Sequence, residues 1–188
     1  MSLIYQIAKE FDFCYGHRVW SQELNPDFSL DPCLSCRHLH GHQGKVIVHL
    51  ESRELQRGMV TDFAHLNWFK RFIDEVLDHR FIIDIDDPLF PTLLPHFADK
   101  SALVWMEEGY ARVDFERIKG ESSPILELYE SFVVVRFVPT SESIASWLLE
   151  LLRSRIQPLG VKVSSVEFLE TPKSRARVYN EGHHHHHH

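Results

Sequence analysis

Ten residues, Cys33-Leu34-Ser35-Cys36-Arg37-His38-Leu39-His40-Gly41-His42, hold two thiols and three imidazoles and lead into the apolar alternation of Val46-Ile47-Val48. That junction limits what the chain can build. A strand beginning at His40 has a side-chain period of two, so His40 and His42 share a face and Gly41 places no side chain between them. Two neutral imidazoles on one face are half of a site for a zinc-like ion. His38 has the same parity, so spacing leaves open which pair binds. An exposed His-rich turn fits the two spaced histidines as well. Cys33-x-x-Cys36 followed by histidines also fits a structural zinc site.

The surrounding pattern supplies strands and helices to carry this segment. Residues 3–13 alternate as a strand with Phe11 and Phe13 on one face, and His17 follows four residues after Phe13. A second strand is expected over 42–52. Antiparallel pairing of the two would bring His17 towards His40 and His42. Asp62 is a helix N-cap, and Phe63, Leu66, Phe69, Ile73, Val76 and Leu77 form an apolar stripe after it. A second helix begins at Thr140 or Ser141 and buries Ile144, Trp147, Leu148, Leu151 and Leu152. Strands are expected at 161–169 and 175–179. The order indicates an α+β domain with an antiparallel sheet. Residues 84–130, broken by Pro88, Pro91 and Pro95, lack a clean period and read as an insertion in a single domain spanning 1–182. Residues 183–188 are six histidines, an expression tag.

A net charge of −7 disfavours nucleic acid as a partner. No apolar run reaches membrane-spanning length. Three cysteines, two of them close together, do not make a disulfide framework. The expectation is a soluble cytoplasmic protein.

Catalytic metal sites commonly use three protein ligands and leave one position for water or substrate. His17, His40 and His42 supply three nitrogens. Cys36, beside Arg37 and close to such a metal, is a candidate base or nucleophile. Cys14 reads as a small buried hydrophobe. Asp78-His79 is either an acid–base relay or a histidine satisfying a helix C-terminus. Glu170 is a strand-end surface carboxylate or an acceptor for a ligand.

Taken in order, these stretches resemble the 6-pyruvoyl-tetrahydropterin synthase family, most closely its 6-carboxy-tetrahydropterin synthase branch. The matching residues are Phe11-Asp12-Phe13 with His17-Arg18, then Cys36-Arg37-His38-Leu39-His40-Gly41-His42. Gly58-Met59-Val60-Thr61-Asp62-Phe63 follows, then Leu77-Asp78-His79, Pro139-Thr140-Ser141-Glu142 and Glu170-Thr171. The cysteine stands four residues before the first motif histidine, as in the carboxy branch; the pyruvoyl-branch position is here Leu34. Three features depart from the family: Tyr15-Gly16 before His17, Arg80-Phe81-Ile82-Ile83 after His79, and the 84–130 segment.

The resemblance implies a T-fold, a four-stranded antiparallel sheet with two helices on one face that assembles into a barrel. It implies a homo-oligomer, a hexamer or tetramer, with active sites between subunits. It implies Zn2+ on His17, His40 and His42, proton transfer by Cys36 with His79 and Asp78, and Glu170 on the pterin with Thr140, Ser141 or Thr171 nearby. The implied reaction converts 7,8-dihydroneopterin triphosphate to 6-carboxy-5,6,7,8-tetrahydropterin, acetaldehyde and triphosphate, an early step towards queuosine. The alternatives are a pyruvoyl-forming or side-chain-cleaving pterin enzyme and, in another class, a non-catalytic zinc protein that binds a pterin or nucleotide.

Overall fold

The computed structural model describes residues 2–181, so the tag at 183–188 lies outside the described residues. The chain divides into two compact units. Of the described residues, one comprises 2–13, Gln43–Glu75 and 141–181; the other comprises Cys14–His42 and Val76–Thr140. The strands β1 (Tyr5–His17) and β2 (His40–Ser52) run through both.

In the first unit, strand order is β1, β2, β7 (Lys162–Thr171), β8 (Ser174–Tyr179). Antiparallel pairing sets Val46 against Phe168 and Val48 against Val166, and β7 returns directly as β8. Alternation decides which residues go inside: Phe11 and Phe13 on β1 and Val46, Val48 and Leu50 on β2 are all buried. Asp62 caps its helix as the sequence predicts, accepting from the Ala64 N–H at 2.8 Å. That helix opens with a tight turn over Phe63–Leu66, continues as α1 (Asn67–Phe72) and widens into a π turn over Ile73–Leu77. Phe69 meets Phe11 edge-on at 5.1 Å, and Phe72 meets Trp147 at 5.9 Å. Phe63, placed in the buried stripe by its spacing, is instead 42% exposed, because it stands in the tight opening turn and off the α-helical face. The long helix α4 (Ser141–Ile156) buries Ile144, Leu148, Leu151 and Leu152.

The second unit corrects the expectation of four antiparallel strands. Among the described residues there are eight, and the sheet is mixed. Here β3 (Arg80–Asp84) lies parallel to β1, with Tyr15 against Arg80, and parallel to β6 (Phe132–Val135), with Phe81 against Phe132. Both strands are nearly continuous apolar runs that alternation cannot reveal, since parallel strands covered on both faces have no polar side. The segment 84–130 supplies α2 (Phe90–Leu93), the hairpin β4 (Leu103–Trp105) and β5 (Ala111–Val113), and α3 (Ser123–Glu130). Phe90, Leu94, Phe97, Ile118 and Tyr129 from this segment pack with Ile83, Phe132 and Val134. The Tyr129 hydroxyl accepts from the His96 backbone N–H at 2.8 Å. Among the described residues, no helix is long and apolar enough to cross a membrane.

Candidate metal centre

β1 and β2 both end their buried parity on histidine. His17 continues the face of Phe13 and Tyr15, while His40 and His42 continue the face of Val46 and Val48. One ligand atom from each of the three histidines lies within 4.8 Å of the other two. The ring centroids are 4.6 to 5.1 Å apart. His17 is fully buried, whereas His40 and His42 are half-buried, so the set opens on their side.

Two backbone carbonyls fix the tautomers. The Nδ1–H of His17 donates to the Pro139 carbonyl at 2.6 Å, and that of His40 donates to the His38 carbonyl at 2.6 Å. A carbonyl can only accept, so the Nδ1 of each neutral ring carries the proton and Nε2 presents the lone pair. His38 therefore serves the site through its backbone. Burial, opposed by the Pro139 hydrogen bond and aided by His40 and His42, lowers the His17 pKa to about 4. His17 is neutral near pH 7, as a metal ligand must be. Three convergent imidazoles, two with fixed tautomers, fit a borderline cation such as zinc.

Glycines allow the approach. A Cβ on Gly41 would sit 3.0 Å from the Tyr15 carbonyl, and one on Gly16 would strike the Phe81 ring at 2.7 Å. Tyr15 walls the site, with its ring 5.1 Å from His17 and 5.6 Å from His42.

A second cluster lies in the same unit. Cys14, Asp78 and His79 place one ligand-capable atom each within 4.8 Å of one another. The Cys14 N–H donates to Asp78 Oδ1 at 2.9 Å, and the His79 N–H donates to the Cys14 carbonyl at 2.7 Å. This clasp holds His79 at a φ of 60°, a left-handed conformation that costs a non-glycine residue energy and persists only where neighbours enforce it. Asp78 Oδ2 is 3.0 Å from His79 Nδ1. Burial alone would raise the Asp78 pKa, but the Cys14 N–H and His79 outweigh it and hold the carboxyl below the usual range. Cys14, which the sequence suggests is a filler residue, is thus the backbone partner of both. Its only sequence signal is its parity, opposite to Phe13 and Tyr15.

A family model for 6-pyruvoyl tetrahydropterin synthase matches residues 6–181. The 6-carboxy-5,6,7,8-tetrahydropterin synthase of Aquifex aeolicus is 32% identical over 190 residues, spanning 94% of this chain and 99% of that protein. The chain belongs to the 6-pyruvoyl tetrahydropterin synthase family. Solved family folds agree: the Plasmodium vivax 6-pyruvoyltetrahydropterin synthase superposes with a TM-score of 0.56 at 20% identity, covering 95% of this chain and 98% of that one. The Caenorhabditis elegans 6-pyruvoyl tetrahydropterin synthase gives 0.54 at 22%, covering 95% and 97%.

The remaining family positions are dispersed. Cys36 stands in a tight turn, Ser35–Arg37, and among the described residues it joins neither cluster. Its carbonyl accepts from the Val19 N–H at 2.7 Å. Arg18, buried, grips Asp87 at 2.8 Å and donates to the Arg37 carbonyl at 2.7 Å, fixing the same turn. Asp87 comes from the 84–130 segment, so that segment braces the turn that carries the thiol. Thr140 ends the second unit, while Ser141 opens α4 in the first. Glu170 is half-buried near the end of β7, where the register with β8 shifts, and Thr171 follows it.

Proposed function

We propose that this protein is a 6-carboxy-5,6,7,8-tetrahydropterin synthase. It converts 7,8-dihydroneopterin triphosphate and water to 6-carboxytetrahydropterin, acetaldehyde and triphosphate on the way to queuosine. The observation that carries the reading is the convergence of His17, His40 and His42, with backbone carbonyls fixing the tautomers of His17 and His40. The similarity to the Aquifex aeolicus synthase supports the choice of branch. So does Cys36, four residues before His40.

Zn2+ on these histidines would polarise the side-chain oxygens of the substrate and acidify the adjacent C–H bonds. Cys36 removes and returns protons at the substrate side chain. His79 is its partner, its ring oriented by Asp78, which stays ionised because its pKa is held down. Glu170 accepts from the pterin amino and ring N–H groups, with Thr140, Ser141 or Thr171 beside it. Among the described residues Cys36 belongs to neither cluster of its own chain, which favours active sites between subunits of a homo-oligomeric barrel. There, Cys36 of one subunit meets His79 of another.

The deciding experiment incubates tag-free, zinc-loaded protein with 7,8-dihydroneopterin triphosphate and identifies products by mass. The expected products are 6-carboxytetrahydropterin and acetaldehyde. A pyruvoyl product would move the protein to the other branch, and binding without turnover would make it a pterin-binding protein.

A further inference from the structure

Arg80 opens β3 and Arg112 stands in the middle of β5. Register places Phe81 against Phe132 and Ala111 against Val134, and these residues pack in the apolar core of the second unit. Alternation therefore turns Arg80 and Arg112 to the opposite face of the sheet, two strands or about 10 Å apart. Their heads are drawn to the same end. Arg112 Nη2–H donates to the Glu130 carbonyl at 2.9 Å, and Arg80 Nη1–H donates to the Asp78 carbonyl at 3.3 Å. Both carbonyls precede the first residues of the parallel pair β3 and β6.

Two other arginines of the same unit are ion-paired, and Arg136 lies over the Trp105 ring. Arg18 pairs with Asp87, and Arg117 pairs with Asp99. Among the described residues, Arg80 and Arg112 make no carboxylate ion pair, and the Nε–H of each is buried without an acceptor. Burial, followed by the charge of Arg80, pushes the Arg112 pKa below its ordinary value against a smaller opposing pull from Tyr110 and Glu130. Two partly desolvated like charges held together by peptide carbonyls repel each other, and an anion between them removes that cost. Planar guanidinium forks suit phosphate oxygens, and each of these side chains keeps an Nε–H that no protein acceptor uses.

We propose that Arg80 and Arg112 form a binding site for a phosphate-bearing anion and, resting on the function proposed above, that its occupant is the triphosphate tail of the substrate. Arg80 directly follows His79, so an anion held there lies beside the acid–base pair. Arg112 belongs to the 84–130 segment, which thereby takes part in reading the phosphorylated end of the ligand.

The test uses tag-free, zinc-loaded protein and inorganic triphosphate as the calorimetric probe. Arg112→Gln and Arg80→Gln should each raise its dissociation constant roughly tenfold or more, with Arg112→Lys in between. Arg112→Gln should raise KM for 7,8-dihydroneopterin triphosphate by a similar factor and change kcat by no more than about twofold, the signature of lost uniform binding. Unchanged triphosphate affinity in both Gln variants would overturn the site. Weakened triphosphate binding with an unchanged KM would overturn the substrate assignment and leave a site for a separate polyphosphate. If wild type does not turn over the pterin yet loses triphosphate affinity on Arg112→Gln, the proposed function fails and the anion site stands. Should Arg112→Gln not fold, triphosphate protection of Arg80 and Arg112 from an arginine-selective dicarbonyl, mapped by mass on wild type, decides the matter; no protection at either would overturn the site.

Discussion

His17 and His40 are steered by carbonyl oxygens, whereas His79 is steered by the Asp78 carboxylate. The difference separates two kinds of chemistry within one unit. A carbonyl fixes the tautomer and adds no net charge; at His17 it is burial, working against the Pro139 hydrogen bond, that keeps the ring neutral by lowering its pKa to about 4. A carboxylate adds a full charge, and Asp78 keeps that charge because its pKa is held down. The His79 side chain is 75% exposed, while His17 is fully buried. On the function proposed above, the first cluster would hold a cation and the second would pass protons to a partner arriving from outside.

The largest effect should follow from removing donors of the first cluster. In tag-free protein, His40→Ala combined with His42→Ala should take metal from one per chain to near none and abolish turnover, as read by elemental analysis and product mass. Asp78→Asn should retain the full metal content. Metal that survives the double variant, or leaves with Asp78→Asn, would erase the distinction between the clusters.

Next in size is the thiol. Cys36→Ala should lower turnover by roughly two to four orders of magnitude, the range of a general-base contribution, and leave metal content unchanged. His79→Ala should behave alike. If their active site is assembled from two subunits, mixing the two inactive proteins after dissociation and reassembly restores part of the activity. Verified mixed oligomers with no recovery would place both groups on one chain.

Much of the first cluster is legible in the sequence, and little of the second. Period-two spacing puts His40 and His42 on one face, and the alternation through Phe11, Phe13 and Tyr15 carries His17 to the matching place on β1. The Pro139 carbonyl that fixes His17 is 122 residues away, and backbone acceptors leave no residue-type signature. The partnership of Cys14 with Asp78 and His79 is made largely by main-chain atoms, which is why composition suggests only a small buried residue. Strands β3 and β6 escape because they are buried, non-alternating and four or five residues long. The 84–130 segment escapes because its helices and strands are no longer than eight residues, too short for a period to show. Its anchors, Tyr129 with His96 and Arg18 with Asp87, are tertiary pairs.

The third prediction concerns pH and the metal-free protein. The folded state keeps His17 neutral down to about pH 4, whereas the unfolded chain protonates it near 6.5. Between these values the unfolded state binds more protons, so stability is fully present above about 6.5 and is lost as pH falls towards 4. The shift corresponds to about 3 kcal/mol at most. Denaturant unfolding of chelator-treated protein across this window should show the decline, and His17→Ala should flatten it. A wild-type profile that is already flat would mean that burial does not keep this ring neutral.

The smallest effect belongs to Cys33, and it tests whether the metal is held as the three-histidine geometry implies. A structural zinc site built on Cys33-x-x-Cys36 needs both thiolates in the first coordination sphere. Cys33 is exposed and, among the described residues, stands in neither cluster; its N–H donates to Asp31 Oδ1 at 2.9 Å, a turn bond that involves no sulfur. Removing the thiol leaves that bond intact and buries nothing new. Cys33→Ala should therefore keep one metal per chain and change unfolding free energy by less than about 0.5 kcal/mol, the usual range for an exposed substitution. Loss of metal together with stability would mean that the thiols hold the ion, and the three histidines would then need a different role.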